Sequence, residues 1–260
     1  MQIIIFSAVA GIWGMGLGGL VSTLLLKRMS ENMVCWMLSF AAGIMTSIVC
    51  FGLMPEAVAL SGVTASITGL SFGIVIIMAL NRIVDIITEA TNGNLKIHST
   101  LEELYHGRQI IKDRAKMIRS GVIMLIAIGL HNIPEGIAIG AGGSHDLGLG
   151  ALLAVMITLH NIPEGMAIAA PLLAGGISRG KVVFWTALSG ATTLLGGFIG
   201  VAIGNISDFA VAISLSAAGG AMLYVVFGEI IPQSIVMTKT RAASLVMLLG
   251  VIVGLLITQI

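Results

Sequence analysis

Apolar runs of about 20 residues, each long enough to cross a hydrocarbon core of roughly 30 Å, follow one another along almost the whole of this chain. Nothing constrains its fold more. Only 10% of the 260 residues are charged and 57% are hydrophobic, where a soluble domain carries about a quarter charged. A backbone in lipid must satisfy its own N–H and C=O groups, which leaves helices as the economical solution for runs of this length. The runs lie near 3–26, 33–55, 62–84, 119–141, 148–174, 181–204, 209–234 and 242–260. They predict an all-α polytopic membrane protein of eight transmembrane helices, a single domain over 1–260. Met1-Gln2-Ile3 lacks the basic start of a cleaved signal, so the first run is expected to stay as a helix.

The breaks are polar or glycine-rich, as in Lys27-Arg28-Met29-Ser30-Glu31-Asn32, Gly143-Ser144-His145-Asp146 and Asn205-Ile206-Ser207-Asp208. Every Lys and Arg falls in or beside alternate connections: Lys27 and Arg28, Arg82 through Arg119, Arg179 and Lys181, Lys239 and Arg241. Basic residues favour the cytoplasmic side. The pattern therefore places both termini outside and the long connection, 84–118, in the cytoplasm. His98 and His106 lie in that connection, too far apart in a flexible segment to form a ligand signature. A net charge of +1 makes no case for nucleic acid. Cys35 and Cys50 match neither a CxxC ligand pair nor a disulfide framework and read as small packing residues.

Two internal repeats are present. His-Asn-Ile-Pro-Glu-Gly occurs at 131–136 and again at 160–165, in neighbouring runs of opposite direction. Leu38-Ser39-Phe40-Ala41-Ala42-Gly43-Ile44-Met45 matches Leu215-Ser216-Ala217-Ala218-Gly219-Gly220-Ala221-Met222, and Pro55-Glu56 matches Pro232-Gln233 at the same offset. Helices 1–3 and 6–8 then read as inverted halves flanking helices 4 and 5. Such halves suit a carrier, because one sequence plan can form inward-open and outward-open arrangements of similar energy.

An ionised group deep in a spanning helix costs about 2.5 to 3.5 kcal/mol on insertion scales. His131, Glu135, His160, Glu164 and Glu229 thus need a reason to be there. Residues i and i+4 share a helix face, so His131 pairs with Glu135 and His160 with Glu164. Imidazole nitrogens and carboxylate oxygens suit four-coordinate zinc, and two ionised glutamates balance one divalent ion. Without thiolate, Cu(I) is disfavoured, while Fe2+, Mn2+, Co2+ and Cd2+ remain compatible with the set. Pro134 and Pro163 deprive Leu130 and Leu159 of their helical partners and predict kinks beside the ligands. Asn132 and Asn161 offer amide oxygens to the same ion or to a second one. The ion is expected as cargo, with no prosthetic group. A metalloenzyme would need a pattern such as H-E-x-x-H, which the chain lacks, whereas a channel or an exporter could use the same ligands.

The paired hexapeptides resemble helices 4 and 5 of the ZIP family of divalent-metal transporters, particularly its bacterial members. Ser39-Phe40-Ala41-Ala42-Gly43 followed by Pro55-Glu56-Ala57, the long third connection and Glu229-Ile230-Ile231-Pro232 extend the likeness over nearly the whole chain. The resemblance implies a 3+2+3 fold in the cell (inner) membrane, zinc uptake toward the cytoplasm, a homodimer, and an elevator-like movement of helices 1, 4, 5 and 6 against 2, 3, 7 and 8. It assigns His131, Glu135, His160 and Glu164 to a primary transport site and Asn132 and Asn161 to a secondary one, with Glu229 on the inner metal path and Glu56 in an outer or scaffold role. Helix 6 departs from the family pattern. Where many members carry a carboxylate of the second metal site, this chain has Thr193, and Gln233 stands where a glutamate is common.

Overall fold

The computed structural model describes residues 1–25, 31–92, 114–232, 234 and 241–258. The described residues are helical apart from short turns, and the chain is a multi-pass helical membrane protein. In chain order the helices are α1 (Gln2–Leu25), α2 (Glu31–Ser47), α3 (Met54–Asn92), α4 (Arg114–His145), α5 (Leu147–Ala174), α6 (Arg179–Gly204), α7 (Asp208–Val225) and α8 (Ala242–Thr258). Among the described residues, six helical stretches are long and apolar enough to cross a membrane, and α8 is a shorter apolar helix of 17 residues.

One of those stretches, Cys35–Ile83, has 49 residues. At 1.5 Å per residue it would be about 74 Å long if straight, more than twice a hydrocarbon core. Gly62 breaks it, with φ 77° and ψ 169°, a conformation open to a residue without Cβ. The connection expected over 84–118 is shorter than that at both ends, because α3 stays helical to Asn92 and α4 begins at Arg114. The reason is cooperativity: each residue added to a formed helix gains a hydrogen bond at little further cost, even beyond the apolar run. His98, His106 and Gln233 lie outside the described residues.

Among the described residues, three π-helical stretches interrupt the α-helical ladder. Val9–Trp13 lies within α1, Ile48–Leu53 joins α2 to α3, and Val226–Ile230 continues α7. The last two occupy matching places in the internal repeat. Cys50 sits in the second of them and is exposed, contrary to its expected packing role. Cys35 is buried, and its thiol donates to the Ser234 carbonyl at 3.1 Å.

The helices pack as two groups. In one, α4 lies along α6, α5 along α1, and α4 and α1 close the set through α5 and α6; in the other, α3 lies along α7 and α2 along α8. The groups meet where α4 touches α7 and where α5 touches α2. Exchanging helices 1–3 with 6–8 and 4 with 5 maps each of these pairings onto another. Large apolar side chains such as Trp13, Phe72, Phe198 and Leu248 face outward, as expected where lipid is the solvent. Inside, small residues let backbones touch: a Cβ added at Gly136 of α4 would overlap the Thr193 carbonyl of α6.

Candidate metal centre

Both hexapeptides lie inside continuous helices, α4 and α5, which run antiparallel and are joined through Asp146 alone. The Asp146 carboxylate caps α5 by accepting from the Leu149 amide at 2.8 Å, which makes the reversal tight and fixes the two helices side by side. Pro134 and Pro163 remain within their helices. Each removes one N–H from the ladder beside the buried carboxylates, so the carbonyl four residues earlier lacks its usual helical donor.

At this level the carboxylate of one helix meets the imidazole of the other. His160 Nε2 lies 3.0 Å from Glu135 Oε1, with the two side chains 0% and 1% exposed. Glu164 completes a set: one ligand atom each from Glu135, His160 and Glu164 lies within 4.8 Å of the others, and all three residues are buried. A histidine and two carboxylates gathered away from water and lipid form a donor set suited to a divalent cation. Such an ion would offset the cost of burying the two acids.

His131 is buried on α4 one turn before Glu135, but it does not join that mutual set. Asn132 and Asn161 are fully buried next to the histidines. The Asn161 amide donates at 3.0 Å to the carbonyl of Ala10, in the π-helical stretch of α1, and the Asn132 amide approaches the Ser189 carbonyl of α6 at 3.4 Å. With the NH2 groups so engaged, the Oδ1 atoms of both asparagines have no hydrogen-bond donor, and neither do Glu135 Oε2 and Thr193 Oγ1. Buried oxygens without donors are what a cation would satisfy. Thr193 is 0% exposed and sits where a Cβ added at Gly11 of α1 would come within 2.6 Å of its hydroxyl. Glu229 belongs to the π-helical stretch of α7, and its side chain lies outside the described residues.

Sequence reasoning missed the part played by α1. Nothing in Val9-Ala10-Gly11 marks a π turn, although the small residues around it signal close helix approach.

The family described as ZIP zinc transporter matches residues 85–258. The zinc transporter ZupT of Corynebacterium efficiens is 34% identical over 230 residues, covering 85% of this chain and 82% of its own length. That of Akkermansia muciniphila is 30% identical over 272 residues, covering 100% and 96%. The Corynebacterium glutamicum protein of the same name is 31% identical over 255 residues, covering 94% and 92%. With the family match over more than half of its length and these relatives along nearly all of it, the chain belongs to the ZIP zinc transporter family.

Proposed function

We propose that this chain carries zinc across the cell membrane toward the cytoplasm by alternating access, as a transporter and not an enzyme. The observation that carries the reading is the buried trio Glu135, His160 and Glu164, drawn from the two copies of one hexapeptide. His131 supplies the fourth ligand after a rotation of its side chain, and Asn132 and Asn161 add amide oxygens. Glu229 serves the inner path. With Thr193 in α6 in place of a carboxylate, the site holds one ion firmly and a second one weakly. Fe2+, Mn2+, Co2+ and Cd2+ compete for the same donors.

The chemistry of release follows from the pair at the centre. A hydrogen bond between His160 Nε2 and Glu135 Oε1 needs one proton, which an incoming cation must displace before it can bind both atoms. Returning that proton helps eject the ion on the far side. Cargo and proton therefore exchange at one place, and because a dication replaces a single proton, loading neutralises the negative charge that the two glutamates otherwise leave there.

Eight crossings in a 3+2+3 arrangement account for the bend at Gly62, the shorter α8 and the symmetry of the helix pairings. Both termini then lie outside and the α3–α4 connection in the cytoplasm, as the basic residues predict. The grouping of α1, α4, α5 and α6 against α2, α3, α7 and α8 supports an elevator-like step. The chain works as a homodimer in the lipid bilayer, which holds the second group still.

The test is zinc flux into liposomes containing the purified protein. Wild type should show saturable uptake without cleaving any substrate, and Glu164→Gln should lose it while inserting normally. Equal flux in both would overturn the assignment of the site, and flux that never saturates would point to a channel.

A further inference from the structure

A second polar cluster lies at the end of the molecule that bears the Gly62 bend and the α4–α5 and α6–α7 connections. His145 ends α4, Glu56 lies in the first turn of α3, and Asp208 begins α7. His145 Nε2 is 3.5 Å from Glu56 Oε1, and its Nδ1 is 3.7 Å from Asp208 Oδ1. The imidazole and the Glu56 carboxylate are each about one-third exposed, and Asp208 more so, so water and protons reach all three.

Two features make this more than a surface ion pair. Both ring nitrogens face a carboxylate, and only the imidazolium carries an N–H on each; a neutral ring would turn a lone pair toward one of the acids. A bound cation would use one nitrogen and leave the other acid unanswered. The three residues also straddle the division of the fold, with His145 in the group of α1, α4, α5 and α6, and Glu56 and Asp208 in the other group. The remaining acid nearby, Asp146, is engaged in capping α5.

We propose that His145 is a positioning residue for transport, a protonated latch that holds the two helical groups together at the outer end and releases them when it loses its charge. The proposal rests on the alternating-access reading above and adds to it a control by external pH. Histidine is the side chain that changes charge between about pH 5 and 8. The sign is fixed by the two acids: acid outside favours the latched arrangement, and neutral or alkaline conditions favour opening toward the outside. Ion pairs at this exposure shift a two-state population by about fivefold at most. The latch therefore tunes the cycle without blocking it.

Two variants push it in opposite directions. His145→Gln removes the charge at every pH, and His145→Lys keeps it. Zinc uptake into liposomes is read with internal pH clamped and external pH varied from 5 to 8, each variant against wild type at the same pH, so that the pH dependence of proton displacement at His160–Glu135 cancels. The ratio of His145→Gln to wild-type uptake should fall from about five at pH 5 to about one at pH 8, and the ratio of wild-type to His145→Lys uptake should rise from about one to about five over the same range. A merely structural histidine would lower uptake in both variants and leave the pH profile in place. In parallel, nitroxide labels at Val63 and Leu147, both exposed at this end, report separation of the two groups in metal-free protein. Their short-distance population should fall with rising pH in wild type and be constant in His145→Gln.

Unchanged pH profiles and unchanged label distances in both variants would overturn the latch. Distances that follow pH in a wild type showing no zinc flux would uphold the latch and refute the transport reading instead.

Discussion

Replacing Gly136 with alanine would press a methyl group into the backbone of the neighbouring helix. Gly136 directly follows Glu135, and a Cβ built on it overlaps the Thr193 carbonyl oxygen and comes within 2.8 Å of both the Gly197 nitrogen and the Thr193 carbonyl carbon. Every one of these atoms is backbone of α6, so no side chain can swing aside. α4 and α6 must move apart by roughly an ångström or more to bring the Thr193 carbonyl oxygen to ordinary van der Waals separation. Overpacking of this kind costs about 1–3 kcal/mol. For a chain of this size, globular-protein scaling gives about 2–4 °C per kcal/mol, hence a thermal midpoint lowered by roughly 2–12 °C. Because the displaced turn carries Glu135, zinc affinity should fall as well. Gly180→Ala is the control, since a Cβ there meets nothing within 4 Å. It should be neutral, or stabilising by about 0.4–1 kcal/mol through the unfolded chain. The assay is thermal unfolding in detergent with and without zinc, alongside zinc binding. If Gly136→Ala melts and binds like Gly180→Ala, close backbone contact between α4 and α6 does not position the site.

Asn161→Ala removes the hydrogen bond to the Ala10 carbonyl and leaves that buried acceptor without this donor, a loss of about 1–3 kcal/mol in thermal stability; an unchanged midpoint would mean that the π-helical stretch of α1 does not depend on it. Zinc binding should release about one proton per ion from the His160–Glu135 pair, and calorimetry in buffers of different ionisation enthalpy measures it; a buffer-independent heat would refute proton displacement. Thr193→Glu should raise the number of zinc ions bound per chain, read by elemental analysis, without creating transport that was absent; unchanged stoichiometry would remove Thr193 from the neighbourhood of the site. His131→Ala should abolish uptake while leaving membrane insertion intact, and full uptake in that variant would limit the ligand set to the trio already in place.

The amino-acid sequence determined the solvent, the helical class and the chemistry of this protein. Runs of apolar residues leave no other way to satisfy a backbone in lipid, and buried His and Glu beside Pro require a compensating charge. Its repeats also predict inverted halves, and the π-helical stretches that follow α2 and α7 fall at matching places in them. Which side chains meet depends instead on how the helices pack. Spacing of i and i+4 places His131 with Glu135 on one helix face, but it says nothing of how two faces are rotated against each other. In the structure Gly136 abuts the backbone of α6, and Glu135 beside it meets His160 across the α4–α5 pair. Likewise, Ala10 near Asn161 and His145 between Glu56 and Asp208 join elements distant in sequence. No local pattern encodes such meetings, because they arise from the packing of whole helices.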